Sequence, residues 1–223
     1  MRVLCVLGVV FAGAGSGGCG VPKQPIKTEC STALPLDYAG TRMTYDGDAS
    51  LEFVAPMTVD FTGMIIYGGE EAWVLRQTIL RMWQGEQIQI VREGYHACDD
   101  EGVWLLGESI QWTRVDPGDL FDHAYDFLPQ VQVFPPDPKP GDAWSSTYTL
   151  QGSLAGVLDD GPVEGERSRM VDAKGSMEID GETRTTLMVA LEDSVLEVPD
   201  WEKYALGIGL VKNPDVELLG LAR

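Results

Sequence analysis

The chain has 223 residues, 35 of them acidic and 16 basic, for a formal net charge of −19. A surface of that sign repels phosphate backbones and anionic headgroups, which excludes nucleic-acid binding and attachment to a membrane by charge alone. The length suffices for one domain with a sizeable core or for two small ones.

The first element is an address. Arg2, the apolar run from Val3 to Phe11 and the small-residue tract from Ala12 to Gly18, ending at Cys19, have the layout of a bacterial secretory signal over residues 1–18. As a helix the apolar run spans roughly 13 Å, well short of the ~20 residues that cross a bilayer, so no permanent transmembrane anchor is expected. A cysteine after small residues is expected to be acylated, which makes the mature protein a lipoprotein anchored through Cys19. The triplet Ser16-Gly17-Gly18 lacks the branched apolar residue that such processing prefers. Ala12-Gly13-Ala14 offers the competing small-x-small site, which would release a soluble periplasmic or secreted protein. Gly20 stands where an Asp would favour inner-membrane retention, so the expected address is the outer membrane, facing the periplasm or the cell surface.

Of the four cysteines, Cys5 is expected to leave with the signal and Cys19 to take the lipid. Cys30 and Cys98 remain. In an oxidising compartment this pair is expected to form a disulfide tying the start of the domain to a mid-chain turn; two buried thiols are the alternative. Residues 19–33, with Pro22 and Pro25, read as lipid attachment and tether, and residues 34–223 as a single all-β domain.

From there the dominant period is two. Leu51-Glu-Phe53, Val59-Asp-Phe61, Ile88-Gln-Ile90, Ile110-Gln-Trp112, Val131-Gln-Val133, Trp144 to Tyr148 and Leu187 to Leu191 alternate as half-buried strands do. Turn residues separate them at 45–48, 68–69, 98–102, 116–119, 159–162 and 179–182. The expected class is mostly β, a curved antiparallel sheet or half-barrel. Between Ala72 and Trp83 a helical face (Ala72, Leu75, Ile79, Met82, Trp83, with Gly85 as a stop) competes with strand alternation, and the flanking strands favour the strand. A helix there would lie on the concave face. The tract from Leu120 to Pro140 carries five prolines and is expected not to continue as a central strand beyond Val133, but to cross between two halves of the domain.

Three segments carry a family resemblance. Leu34-Pro-Leu-x-x-x-Gly40 leading into a strand, Pro138-Lys-Pro-Gly-Asp-Ala-Trp144, and Tyr204-Ala-Leu-Gly-Ile-Gly-Leu-Val-Lys212 together resemble a broad group of uncharacterised exported bacterial lipoproteins. Met43 stands where that group has Trp. The resemblance implies a curved antiparallel sheet distantly like the half-barrel of the periplasmic lipoprotein-localisation carriers, and supplies no catalytic residues. In the closing motif, Gly207 and Gly209 leave one side bare for a second backbone, a ligand or an aromatic such as Trp201 or Tyr204.

Chemistry-bearing residues are sparse. His96 and His123 are the only histidines; His96-Ala-Cys98-Asp-Asp100 has metal-ligand types but no second cluster to complete a zinc site. Asp46, Asp48, Asp159 and Asp160 offer oxygens without EF-hand spacing, so no metal is expected. Nucleophile-elbow, phosphate-loop and dinucleotide motifs are absent, and neither a cofactor nor an enzyme activity is expected. Two functions fit. The first is an envelope lipoprotein with a structural or partner-interaction role, its core filled by its own aromatics. The second is a carrier whose six tryptophans and strand-borne aromatics line a concave groove for a lipid, an acyl chain or an apolar peptide.

Overall fold

The computed structural model describes residues 31–34, 40–47, 52–114, 120–155 and 157–222. The signal, Cys19, the tether to residue 30 and Cys30 lie outside the described residues. The regular elements are strands: β1 (Arg42–Gly47), β2 (Met57–Tyr67), β3 (Glu70–Trp83), β4 (Glu86–Asp99), β5 (Gly102–Arg114), β6 (Leu120–Phe134), β7 (Ala143–Ser153), β8 (Val163–Ile179), β9 (Glu182–Asp193), β10 (Trp201–Ala205), β11 (Gly209–Lys212) and β12 (Val216–Ala222).

Consecutive strands pair antiparallel, and β12 returns to β1, with Arg42 opposite Ala222 and Gly47 opposite Val216. The wall is therefore a closed barrel. This corrects the expected curved sheet or half-barrel: the C-terminal strand supplies the partner that an open edge lacks, and closure removes both edges. The seam is thin beside it, since β11 and β12 face each other only at Lys212 and Glu217. There the buried Tyr45 of β1 donates its hydroxyl to the Leu210 carbonyl at 2.7 Å, satisfying an acceptor on β11.

The concave-face helix is absent among the described residues, and 72–83 forms the strand favoured by its flanks. Gly85, the apparent helix stop, is the second residue of a two-residue hairpin turn in which Gln84 and Gly85 both have positive φ, as strand-matching turns require. Leu51-Glu-Phe53 is corrected too: Leu51 lies outside the described residues, and Phe53 makes only an isolated bridge to Arg81. The Pro-rich crossover is likewise not observed. Residues 120–134 form one strand hydrogen-bonded to β5 and β7, and the prolines from 135 onward occupy the β6–β7 connection. Pro129 is tolerated because the β5 ladder skips from Asp126 to Val131 around it, so its missing N–H leaves no gap.

The closing glycine motif is a hairpin, β10 and β11, and the N-terminal segment occupies its bare side. The Gly207 amide donates to the Thr32 carbonyl at 2.9 Å, and the Thr32 amide donates to the Pro136 carbonyl at 3.1 Å. A Cβ on Gly209 would lie 3.4 Å from Leu34 Cδ1. The Leu34 side chain, rather than Trp201 or Tyr204, meets the bare side of Gly209, and the side-chain position of Gly207 is open.

Apolar side chains alternate onto the inner face. Tyr45, Phe61, Phe127, Leu150, Val171, Leu187 and Val189 are fully enclosed there, while Arg76, Glu93, Asp126, Ser168, Met170 and Asp172 face outward. A membrane-spanning barrel carries an apolar band outside and polar groups within. This barrel has the reverse alternation.

Candidate functional site

The inner face is not uniformly apolar. Three ionic groups interrupt it, each an arginine, a carboxylate and a tyrosine. On β4 and β5, Arg92 binds Glu108 through Nε and Nη2 at 2.9 and 2.7 Å, and the Tyr125 hydroxyl of β6 donates to the same carboxylate at 2.5 Å. On β8 and β9, Arg167 Nε donates to Asp193 at 2.7 Å, and Tyr148 adds a 2.6 Å hydrogen bond. The third group joins Arg169 to Glu202 at 3.6 Å, with Tyr204 donating to that carboxylate at 2.6 Å.

These groups meet across the interior. Although β8 is three strands from β5 around the wall, the charge of Arg167 bears on Glu108. Arg169 likewise bears on His96 of β4. Arg167 also lies 5.2 Å over the ring of Phe127, and Arg169 5.7 Å over that of Phe134. Two edge-to-face groups, Tyr125–Phe127–Tyr148 beneath Arg167 and Phe134–Tyr204 beneath Arg169, form the floor under the cations.

Electrostatics follows from this packing. Burial alone would raise the Glu108 carboxyl, but the Arg92 charge, the hydrogen bonds of Arg92 and Tyr125, and Arg167 together hold it below the usual carboxylate range. Asp193 is held low in the same way against its burial, by the amides of Leu196 and Val195, by Tyr148 and by Arg167. Burial drives His96 down to about 4; Glu108 opposes that shift and the Arg169 and Arg92 charges reinforce it. His96 is a neutral imidazole near pH 7, its Nδ1 3.2 Å from the Gly94 carbonyl.

The interior is closed on one side and open on the other. Between β6 and β12 the inward side chains are sealed, and Leu154, Val157, Leu158, Val195 and Leu196 cover that half from the connections. Towards the β3–β4 turn, by contrast, the inward rows run Arg81–Ile88–Arg114, then Ile79–Ile90–Trp112, then Gln77–Arg92–Ile110–His123, and most of these side chains keep accessible surface. Arg92, on the inward face, retains 41% of its side-chain surface, whereas its partner Glu108 is buried. An inward side chain that keeps this much surface is reached from the β3–β4 end of the barrel. Trp83 and Trp112 stand edge to face at the rim, 6.1 Å apart.

The residues singled out from sequence are dispersed. His96 and His123 both face inward, but in different rows with β5 between them, and Asp46 and Asp159 lie on β1 and on the β7–β8 connection, six strands apart around the wall. Asp48 lies outside the described residues. Cys98 is disulfide-bonded, and its partner lies outside the described residues, as do Cys5, Cys19 and Cys30. The six tryptophans do not share a groove: Trp73 and Trp144 pack in the core, and Trp104 bonds Asp99. Sequence reading passed over Arg92, Glu108, Arg167, Arg169, Asp193 and Glu202. The available signal was Arg167-x-Arg169-x-Val171, where polar residues occupy the inward positions of a strand that continues apolar.

Comparison with known proteins finds no matching family model, curated protein or solved structure.

Proposed function

We propose that the protein is an exported, non-catalytic binding barrel of the cell envelope that takes a small ligand into its interior. The observation that carries this reading is the half-open set of ionic rows on the inner wall. Replacing buried ion pairs by packed apolar residues is often neutral or stabilising by about 1–4 kcal/mol, so stability alone gives little reason to keep three. The earlier carrier expectation therefore moves from a concave apolar groove to the charged inside of a closed barrel.

In this reading Cys19 is acylated and tethers the barrel to the outer membrane, and Cys30 is the partner of Cys98. The disulfide is supported by the docking of Thr32 on Pro136, beside Phe134, whose register partner Val103 faces Cys98. Residues 31–34 dock at the end of the barrel that also carries the β2–β3 hairpin, where Met64, Ile65 and Ile66 are exposed, Ile66 to 69%. A lipid on Cys19 would bring that apolar hairpin to the bilayer. The resemblance to exported lipoproteins fits the same placement.

The test is native mass spectrometry of protein extracted from its own envelope in mild detergent. A stoichiometric small-molecule adduct on an acylated chain beginning at Cys19 is expected. An adduct-free chain would overturn the binding reading, and an unmodified amino terminus at Gly15 the lipoprotein reading. A second reading, a structural lipoprotein that meets a partner complex, is favoured by the sealed β6–β12 half of the core and the acidic exterior. Crosslinking in intact cells that recovers one recurring partner would support it.

A further inference from the structure

Four of the five inward arginines stand on a carboxylate: Arg92 on Glu108, Arg114 on Glu86, Arg167 on Asp193 and Arg169 on Glu202. The fifth does not. Among the described residues no carboxylate lies in ion-pair range of Arg81; its Nε is buried without a hydrogen-bond partner, as are nitrogens of Arg167, Arg169 and Arg184, but each of those guanidiniums has an ion pair and Arg81 has none. A guanidinium turned into a barrel without a counter-charge is costly, and an incoming anion removes that cost.

The neighbouring rows supply more donors. Arg92 uses Nε and Nη2 on Glu108, so its Nη1 is not spent on that carboxylate, and its side chain is accessible from inside. His123, in the same row, has a buried Nδ1 with no partner. Between Arg81 and Arg92 lies the apolar row containing Ile79 and Trp112, with Ile110 beyond, all facing inward and half-buried. One uncompensated cation beside an apolar strip, with the remaining donor of the paired Arg92 across it, suits a molecule with one charged group and an apolar body. A single surplus arginine suits a single negative charge.

We propose that the open half of the barrel binds a monoanionic organic acid, its charged group held between Arg81 and Arg92 and its apolar body against Ile79, Ile110 and Trp112. This rests on the reading of the protein as a binding barrel and names the class of ligand. The guanidinium fork matches carboxylate geometry, and the tryptophan at the rim provides a flat apolar contact. The acidic exterior leaves the inner arginines as the cationic surface that such a ligand meets.

The test is isothermal titration of the full mature chain with decanoate and with decan-1-ol, which share an apolar body and differ in charge. Decanoate is expected to bind one to one and at least tenfold more tightly than the alcohol. Arg81→Gln breaks no ion pair seen in the structure and is expected to weaken decanoate about tenfold, a loss of about 1.4 kcal/mol, while leaving the alcohol unchanged. Arg81→Lys is expected to restore most of the difference. Equal affinity for acid and alcohol, or decanoate binding unchanged in Arg81→Gln, would overturn the anion assignment and leave the binding reading standing. Failure of both compounds to bind, with an adduct-free native mass spectrum, would overturn both.

Discussion

Arg92 and Glu108 face each other diagonally across β4 and β5 and share two parallel hydrogen bonds of 2.9 and 2.7 Å inside the barrel. The carboxylate is only 7% exposed, whereas the guanidinium opens onto the interior space. One member of the pair is structural in its burial, and the other remains available.

That asymmetry sets the cost of breaking the pair. Arg92→Met strands a buried carboxylate and is expected to lower stability by about 3 kcal/mol, towards the low end of the range for buried pairs because water reaches the Arg92 side. Adding Glu108→Leu is expected to recover most of the loss. Urea denaturation of the single and double variants measures both, and an additive double variant would contradict the pairing.

His96 gives stability a pH dependence. Its folded value of about 4 lies below the ordinary 6.5, so the unfolded chain binds the proton first as pH falls. Stability contributed by the neutral ring is therefore complete above about pH 6.5, declines towards pH 4 and is lost below it, a total of roughly 3 kcal/mol. Unfolding free energies between pH 7 and 4.5 are expected to slope downward in the parent and to be flatter in His96→Gln.

One buried hydroxyl reinforces the seam. Tyr45→Phe removes the donor to the Leu210 carbonyl while leaving the ring packed, and is expected to cost about 1–3 kcal/mol, the penalty for a buried acceptor left unpaired. Hydrogen exchange in β11 is expected to speed up more than in β4 or β5, since the seam beside β11 has little other pairing.

The hairpin at the tethered end is expected to add to membrane attachment. Ile65→Asp with Ile66→Asp replaces two exposed apolar side chains, so the melting temperature is expected to stay within about 2 °C. Flotation of the acylated protein with neutral liposomes is expected to fall several-fold. Unchanged flotation would leave the acyl chain as the whole anchor.

Much of the wall was legible because many of its inward positions are apolar: β2, β4, β5, β6, β7 and β9 all contain an alternating run visible in the chain. β8 was not, because Gly165, Arg167 and Arg169 occupy its inward positions and erase the hydrophobic period. Two of the three ionic groups thus have their arginines on the strand whose period they erase. Closure was hidden for another reason. Val216-Glu-Leu218 alternates no more strongly than any short strand, and whether it pairs with Arg42–Gly47 is decided by long-range geometry. Gly85 kept a helix over 72–83 in contention because a glycine ends a helix and turns a hairpin equally well, and the flanking strands rightly favoured the strand. Of the expected bridging pair only Cys98 lies among the described residues, and it is disulfide-bonded.

The most direct test of the ionic interior as a binding device is the triple replacement Arg92→Met, Glu108→Leu and Tyr125→Phe, measured for melting temperature and for decanoate binding on the same sample. If the group serves binding, the variant is expected to melt at or above the parent temperature and to lose at least tenfold in affinity. A variant that melts well below the parent yet binds decanoate unchanged would contradict the account.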